Sequence, residues 1–407
     1  MTTVLTLVPY YLPGHKSGGP VRSLANLVEQ LAGDVHFIVV TSDRDCGDTQ
    51  PYPGIVHGAR HRVGKAEVIY LDPATVVVSI ARAIRATRAD ILYLNSFFSP
   101  AFSILPVLLR RLGLIRSIPI VLAPRGEFSP GALGIKPFRK RAFLAASAAL
   151  GLHAGITWQA SSPFEAAEIR HALPARGEES SSRSFRAPVV VAPDLADAVT
   201  SAVQGSGKER KAPGQLRVIF MSRLSQKKNL LGALEVLAHV RGRLEFTICG
   251  PLEDSAYWAK CQRAISALPS NINVSYIGAI EHARVPEVLA AHDLFFFPTL
   301  GENYGHVILE ALIAGCPVLL SDQTPWRNLA VEGVGWEFPL QELDAFRSVI
   351  ERCIEMDSVT FAALSERAAA YGRQRAHDPS ALEANRSLFR SVISRNTSGA
   401  VQSPALT

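Results

Sequence analysis

Two α/β domains, each a doubly wound parallel sheet, are predicted by three features of this 407-residue sequence. The length exceeds the roughly 250–300 residues at which single hydrophobic cores stop growing. Short continuous apolar runs alternate with segments of helical spacing, as expected for strands buried on both faces of a parallel sheet. The series is interrupted near the middle by a polar stretch with nothing to bury.

In chain order, Val4–Val8 is a β-prone run closed by a Pro/Gly loop over Pro13–Pro20, and Val21–Val28 then takes up helical spacing. Further strand-like runs follow at Phe37–Val40, Val68–Leu71, Ile91–Leu94, Ile118–Ala123 and Val189–Ala192, completing a first domain over residues 1–197. Residues 198–214, with Gln204-Gly205-Ser206-Gly207-Lys208, read as a linker. The second series, Leu216–Met221, Leu244–Cys249, Val274–Ile277, Leu294–Phe297 and Pro317–Leu320, defines a domain over 215–378. A helix is expected over 379–395 and a disordered tail over 396–407. The serine-rich piece Arg176–Ser184 reads as a loop.

Composition narrows the class. Hydrophobic residues make up 48% and charged ones 19%, a globular balance. No apolar run reaches the ~18 residues of a bilayer span, and the start lacks a basic, cleavable leader, so a protein kept in the cytoplasm is expected. Cys46, Cys249, Cys261, Cys316 and Cys353 are scattered, without metal-ligand spacing, and read as reduced thiols. Residues 1–200 hold 21 Lys and Arg against 15 Asp and Glu, and the remainder 21 of each, so all of the net charge of +6 is N-terminal. No interleaved aromatic and basic stripe points to nucleic acid.

Ligands of open α/β sheets bind outside the carboxyl ends of the strands. The loop after Leu294–Phe297 runs Gly301-Glu302-Asn303-Tyr304-Gly305 into a helix expected to start near Tyr304. A helix start directs N–H groups and positive dipole charge at an anion such as a diphosphate. Glu310 follows Glu302 by eight residues, about 80° around a helix at ~100° per step, so both carboxylates can face one ligand and accept sugar hydroxyls. After Leu216–Met221, Arg223, Lys227 and Lys228 supply three cations suited to phosphate. Gly250 ends the next strand, and Asp322, Pro325 and Trp326 follow a later one, either lining the pocket or packing.

Together, the Glu302/Glu310 pair, Arg223 and Lys228 after a strand, and Gly315-Cys316-Pro317-Val318 resemble the retaining glycosyltransferases of the GT-B fold, family four, along essentially the whole chain. The resemblance implies two Rossmann-like domains facing a cleft. Glu302 would contact the donor sugar, Glu310 the ribose, and Arg223 and Lys228 the diphosphate. Gly250, Asn303, Tyr304 and Gly305 would join them around the donor, and Gly18 and Gly19 would match the family's N-terminal glycine-rich loop. Arg125 and Glu127 are acceptor-side candidates, although relatives place a histidine in that region. The donor would be a UDP- or GDP-sugar, with no metal and no further cofactor. The acceptor would be a saccharide or a lipid-linked saccharide of bacterial surface polysaccharide or lipopolysaccharide synthesis.

The stretch Lys136–Ala146 sets four cations beside Phe138, Phe143 and Leu144, and is read either as a core helix with a basic outer face or as a contact to the inner face of an anionic membrane. Two rival functions are a nucleotide-sugar epimerase of the same fold and a non-catalytic nucleotide-sugar binder.

Overall fold

The computed structural model describes residues 1–135, 137–173, 188–197 and 211–400, with only the backbone of 396–400. Lys136, Arg176–Ser184 and most of the expected linker lie outside the described residues. The chain divides into two units, Met1–Leu195 with Pro379 onward, and Ala196–Asp378.

The first unit contains β1 (Thr2–Leu7), β2 (Val35–Ser42), β3 (Arg60–Val63), β4 (Ala66–Leu71), β5 (Ile91–Leu94), β6 (Ile120–Leu122), β7 (Ile156–Ala160) and β8 (Val189–Val191). They form one sheet in the order β3-β4-β2-β1-β5-β6-β7-β8, with every pair parallel except β3 with β4. The chain builds outward from β1 through β2 to β4, then returns to lay β5 on the other side of β1. Helices cover both faces. The sheet is therefore apolar on each, with Leu5, Ile38, Leu92 and Trp158 in one core and Val4, Phe37, Val39 and Tyr93 in the other.

The second unit contains β9 (Gln215–Met221), β10 (Arg243–Cys249), β11 (Ile272–Tyr276), β12 (Leu294–Phe297), β13 (Val318–Ser321) and β14 (Gly335–Phe338). Its sheet is wholly parallel, ordered β11-β10-β9-β12-β13-β14. The order reverses between β9 and β12, where Ile219 lies opposite Phe295. The loops that leave these two strands are therefore neighbours at the sheet's carboxyl edge.

Three segments escape the sequence reading: β3, β7 and β14. The last helix also differs. It runs from Pro379 to Ala400, five residues past the expected end, so residues 396–400 of the expected tail are helical. It belongs to the first unit, where Leu388, Phe389 and Val392 are core residues and the Phe389 ring stands edge-on to Phe37 and Tyr93. Residues 401–407 lie outside the described residues.

Candidate functional site

The loops after β9 and β12 are stitched into one surface. Lys227 is the hub on one side: its carbonyl accepts from Leu300 N at 2.9 Å and from Thr299 Oγ1 at 3.1 Å. Asn229, in the left-handed conformation at φ 60°, caps the next helix by accepting from Gly232 N, and donates Nδ2 to the Pro298 carbonyl at 2.8 Å. Beneath them Thr299 is fully buried, and its carbonyl accepts from Ser321 Oγ at 2.5 Å. Residue type alone marks few of these holding roles. An Asn just before a helical apolar run is, however, an N-cap signal, so Asn229 was within reach.

On this support Lys228 Nζ reaches Glu302 Oε2 at 2.5 Å, with both side chains largely buried, and also lies over the Phe297 ring. Burial would push the Glu302 carboxyl up. The Lys228 ammonium, with Lys227 and the Asn303 N–H, outweighs burial and holds it below its ordinary value. Two residues expected at one ligand are thus in direct contact with each other.

The helix after β12 begins at His306, two residues later than expected, because Gly305 takes φ 80° as its N-cap. A Cβ at Gly305 would sit 2.6 Å from Ile308 Cδ1 and 3.2 Å from Glu302 Cγ, so only glycine lets the turn pass this close to the carboxylate's own stem. Glu302 N donates to the Gln323 carbonyl, and Trp326 Nε1 donates to the Tyr304 carbonyl at 2.7 Å. Trp326 is buried, so it packs beneath the loop as a brace.

Glu310 lies on this helix, buried, with Oε1 4.0 Å from His282 Nε2; the same nitrogen is 3.8 Å from Asp197 Oδ2. His282 carries no signal in the sequence. Its position after β11 becomes adjacent to Glu310 only through the fold.

Arg223 lies apart from the Lys228–Glu302 pair in its bonding. Its guanidinium bonds Glu253 at 3.0 Å on the surface. The backbone here is closely packed: Gly250 has φ 137°, and a Cβ on it would land on the Ser222 carbonyl oxygen, one residue before Arg223. Gly250 N donates to Gly278, and its carbonyl accepts from Tyr276 Oη. Gly250 therefore shapes the loop that carries Arg223.

In the first unit, Gly18 (φ 66°) is the N-cap of the helix Gly19–Leu31. Buried Asp45 fixes the approach to it, accepting from His15 N at 2.7 Å and Lys16 N at 2.9 Å. Asp43, two residues earlier, is taken up by Arg44 and His57. An Asp-x-Asp spacing, expected to be absent from the sequence, is therefore present at Asp43-Arg44-Asp45, and both carboxylates hold loops.

The acceptor-side candidates are engaged internally. The Arg125 side chain is 5% exposed and ion-paired with Asp194, and it donates to Asn95 Oδ1 at 2.8 Å and Tyr93 Oη at 2.7 Å. Asp194 also accepts from Ser23 Oγ. Tyr93 passes the network on through Gln159 to Asn385 of the last helix. Glu127 accepts from Ser96 Oγ and from the N–H groups of Phe97 and Phe98, securing the turn after β5. The expectation of an acceptor-facing Arg125 and Glu127 thus meets two side chains whose polar groups are bonded within the unit.

Among the described residues no three His, Cys, Asp or Glu side chains gather as metal ligands do, and no helix is long and apolar enough to cross a membrane.

Residues 205–375, nearly the whole second unit, match the family model "Glycosyl transferases group 1". A 2-deoxystreptamine N-acetyl-D-glucosaminyltransferase of Niallia circulans is 28% identical over 109 residues, 26% of this chain and 27% of that protein. The chain therefore aligns with about a quarter of that curated relative's length. Among solved structures, HepE of Anabaena in complex with UDP-glucose superposes with a TM-score of 0.67 at 16% identity, covering 96% of this chain and 100% of that one. WaaG, a glycosyltransferase involved in lipopolysaccharide biosynthesis, gives 0.62 at 15% identity over 91% and 95%. These likenesses show the fold, GT-B with two α/β units.

Proposed function

We propose that the chain, with a group 1 glycosyl transferase domain over residues 205–375, transfers a sugar from a nucleotide diphosphate donor to a saccharide or lipid-linked acceptor. The observation that carries this reading is the Lys228–Glu302 pair at the β9/β12 reversal, beside the helix bearing Glu310. An ionised carboxylate held there can accept hydroxyls of the donor sugar, and Glu310 can accept those of the ribose. Arg223, Lys227 and Lys228 offer positive charge to a departing diphosphate, so we expect no metal requirement.

The finer reading is a retaining enzyme of family four. Transfer then proceeds on one face of the sugar, with a diphosphate oxygen assisting removal of the acceptor proton and the enzyme contributing position and charge. A UDP-sugar is the first donor to try, since HepE was solved with UDP-glucose, and WaaG's role favours a bacterial surface or lipopolysaccharide acceptor. An acceptor carried on lipid would be met at the inner face of the cytoplasmic membrane.

The test is a screen of UDP- and GDP-sugars in EDTA, following thermal stabilisation and slow donor hydrolysis, with Glu310→Gln as control. Stabilisation and hydrolysis by one donor, both lost in the variant, support the reading. Binding without turnover would reduce the protein to a binder. Product anomeric configuration by NMR then decides retention.

A further inference from the structure

His282 opens a short turn, His282–Arg284, which follows β11 and leads directly into the helix Val285–Ala290. Val285 and Leu289 of that helix are buried in the second unit's core with Ile308 and Leu312, from the helix His306–Ile313 that carries Glu310. Arg284 N donates to the Glu281 carbonyl at 3.0 Å and closes the turn. Core packing and the closed turn together fix where the imidazole stands relative to Glu310.

The two side chains differ in exposure. Glu310 is 5% exposed and His282 48%, so a ligand can approach the carboxylate alongside the imidazole. Nε2 stands 4.0 Å from Glu310 Oε1 and 3.8 Å from Asp197 Oδ2. With carboxylate oxygens on two sides, that nitrogen is the one that carries the ring's proton and donates. The separation from Glu310 is too long for a hydrogen bond but suits two groups that share one oxygen: bonds of about 2.8 Å from each meet at that oxygen at roughly 90°.

The chemistry of the shared oxygen follows from its two neighbours. It must donate to a carboxylate and accept from an N–H, and a neutral hydroxyl does both. A phosphate or carboxylate oxygen has no proton to give Glu310, and an N–H group cannot accept from His282. The pair is therefore built for a hydroxyl, in contrast to the cations Lys227 and Lys228.

We propose that His282 is a specificity-determining residue of the donor site: its Nε2–H and the Glu310 carboxylate together hold one hydroxyl of the donor's ribose, so that the matching deoxyribonucleotide is rejected. The identity of that hydroxyl rests on the reading of Glu310 as the residue that accepts from the ribose.

The experiment is calorimetric titration of the full chain with UDP and GDP, each beside its 2′-deoxy and 3′-deoxy forms. For the nucleotide that binds, one deoxy form should bind the parent about tenfold more weakly. His282→Ala should weaken the full nucleotide about fivefold and leave that deoxy form within about twofold of the parent, so the preference narrows. His282→Gln keeps an N–H donor near the Nε2 position and should recover most of the loss. Thermal unfolding confirms that each variant is folded. A merely structural role for His282 would weaken the nucleotide and its deoxy form equally, and that result, or no weakening of either, would overturn the proposal while leaving the donor reading intact. A parent chain that binds neither UDP nor GDP would overturn both.

Discussion

Lys228 and Glu302, 74 residues apart in sequence, form a 2.5 Å ion pair across the adjoining loops of β9 and β12. The pair gives a pH signature with a definite sign. Glu302 titrates below its ordinary value of 4.5, so its contribution to stability is fully present above that value and is lost as pH falls through the lower, folded one. Lys228→Met strands the buried carboxylate and should cost about 3 kcal/mol at neutral pH. Urea unfolding of parent and variant between pH 3 and 7 checks this: the acid-side rise in stability should be smaller in the variant. An unchanged slope would mean that the pair does not govern Glu302.

Arg223 should separate stability from function. Its pair with Glu253 is surface-exposed and worth less than about 1 kcal/mol. Arg223→Ala should therefore melt close to the parent while donor turnover falls on the order of a hundredfold. Calorimetry and donor hydrolysis on one preparation give both readings, and a variant with full turnover would remove Arg223 from the diphosphate site.

Gly250→Ala should do the reverse. The new methyl meets the Ser222 carbonyl, and the φ of 137° is costly for any other residue, so a loss of about 3 kcal/mol is expected, with weaker donor binding because the Arg223 loop must shift. Thermal melts with and without UDP test it; a variant as stable as the parent would contradict the close approach.

Arg125→Leu leaves Asp194 buried with Ser23 and no cation, and should cost about 3–5 kcal/mol. Turnover per folded molecule should hold. If instead stability barely changed and KM for the acceptor rose, Arg125 would be an acceptor ligand after all.

Much of the architecture was legible because buried parallel strands are continuous apolar runs, as Ile91–Leu94 and Leu294–Phe297 are. The missed strands lack that mark for physical reasons. Arg60–Val63 is a polar edge strand that needs no apolar face, Ile156–Ala160 buries Gln159 in a hydrogen-bond network, and Gly335–Phe338 opens on glycine and carries a glutamate. At the site, types and spacing pointed to Glu302 and Lys228, which meet. Spacing could not show that Arg125 and Glu127 would find internal partners, since Asp194 and the Phe97 and Phe98 N–H groups are supplied by other parts of the chain.

The return of Pro379–Ala400 to the first unit fixes an order of assembly. During synthesis the ribosome completes Ala196–Asp378, an uninterrupted unit, before it supplies Leu388, Phe389 and Val392 to the core of the unit that was begun earlier. The half made first is therefore finished last, and until then Phe37 and Tyr93 lack the ring that covers them. A fragment ending at Leu195 would carry that bare apolar face permanently and should aggregate, whereas a fragment joining Met1–Leu195 to Pro379–Ala400 through a short linker restores the missing wall.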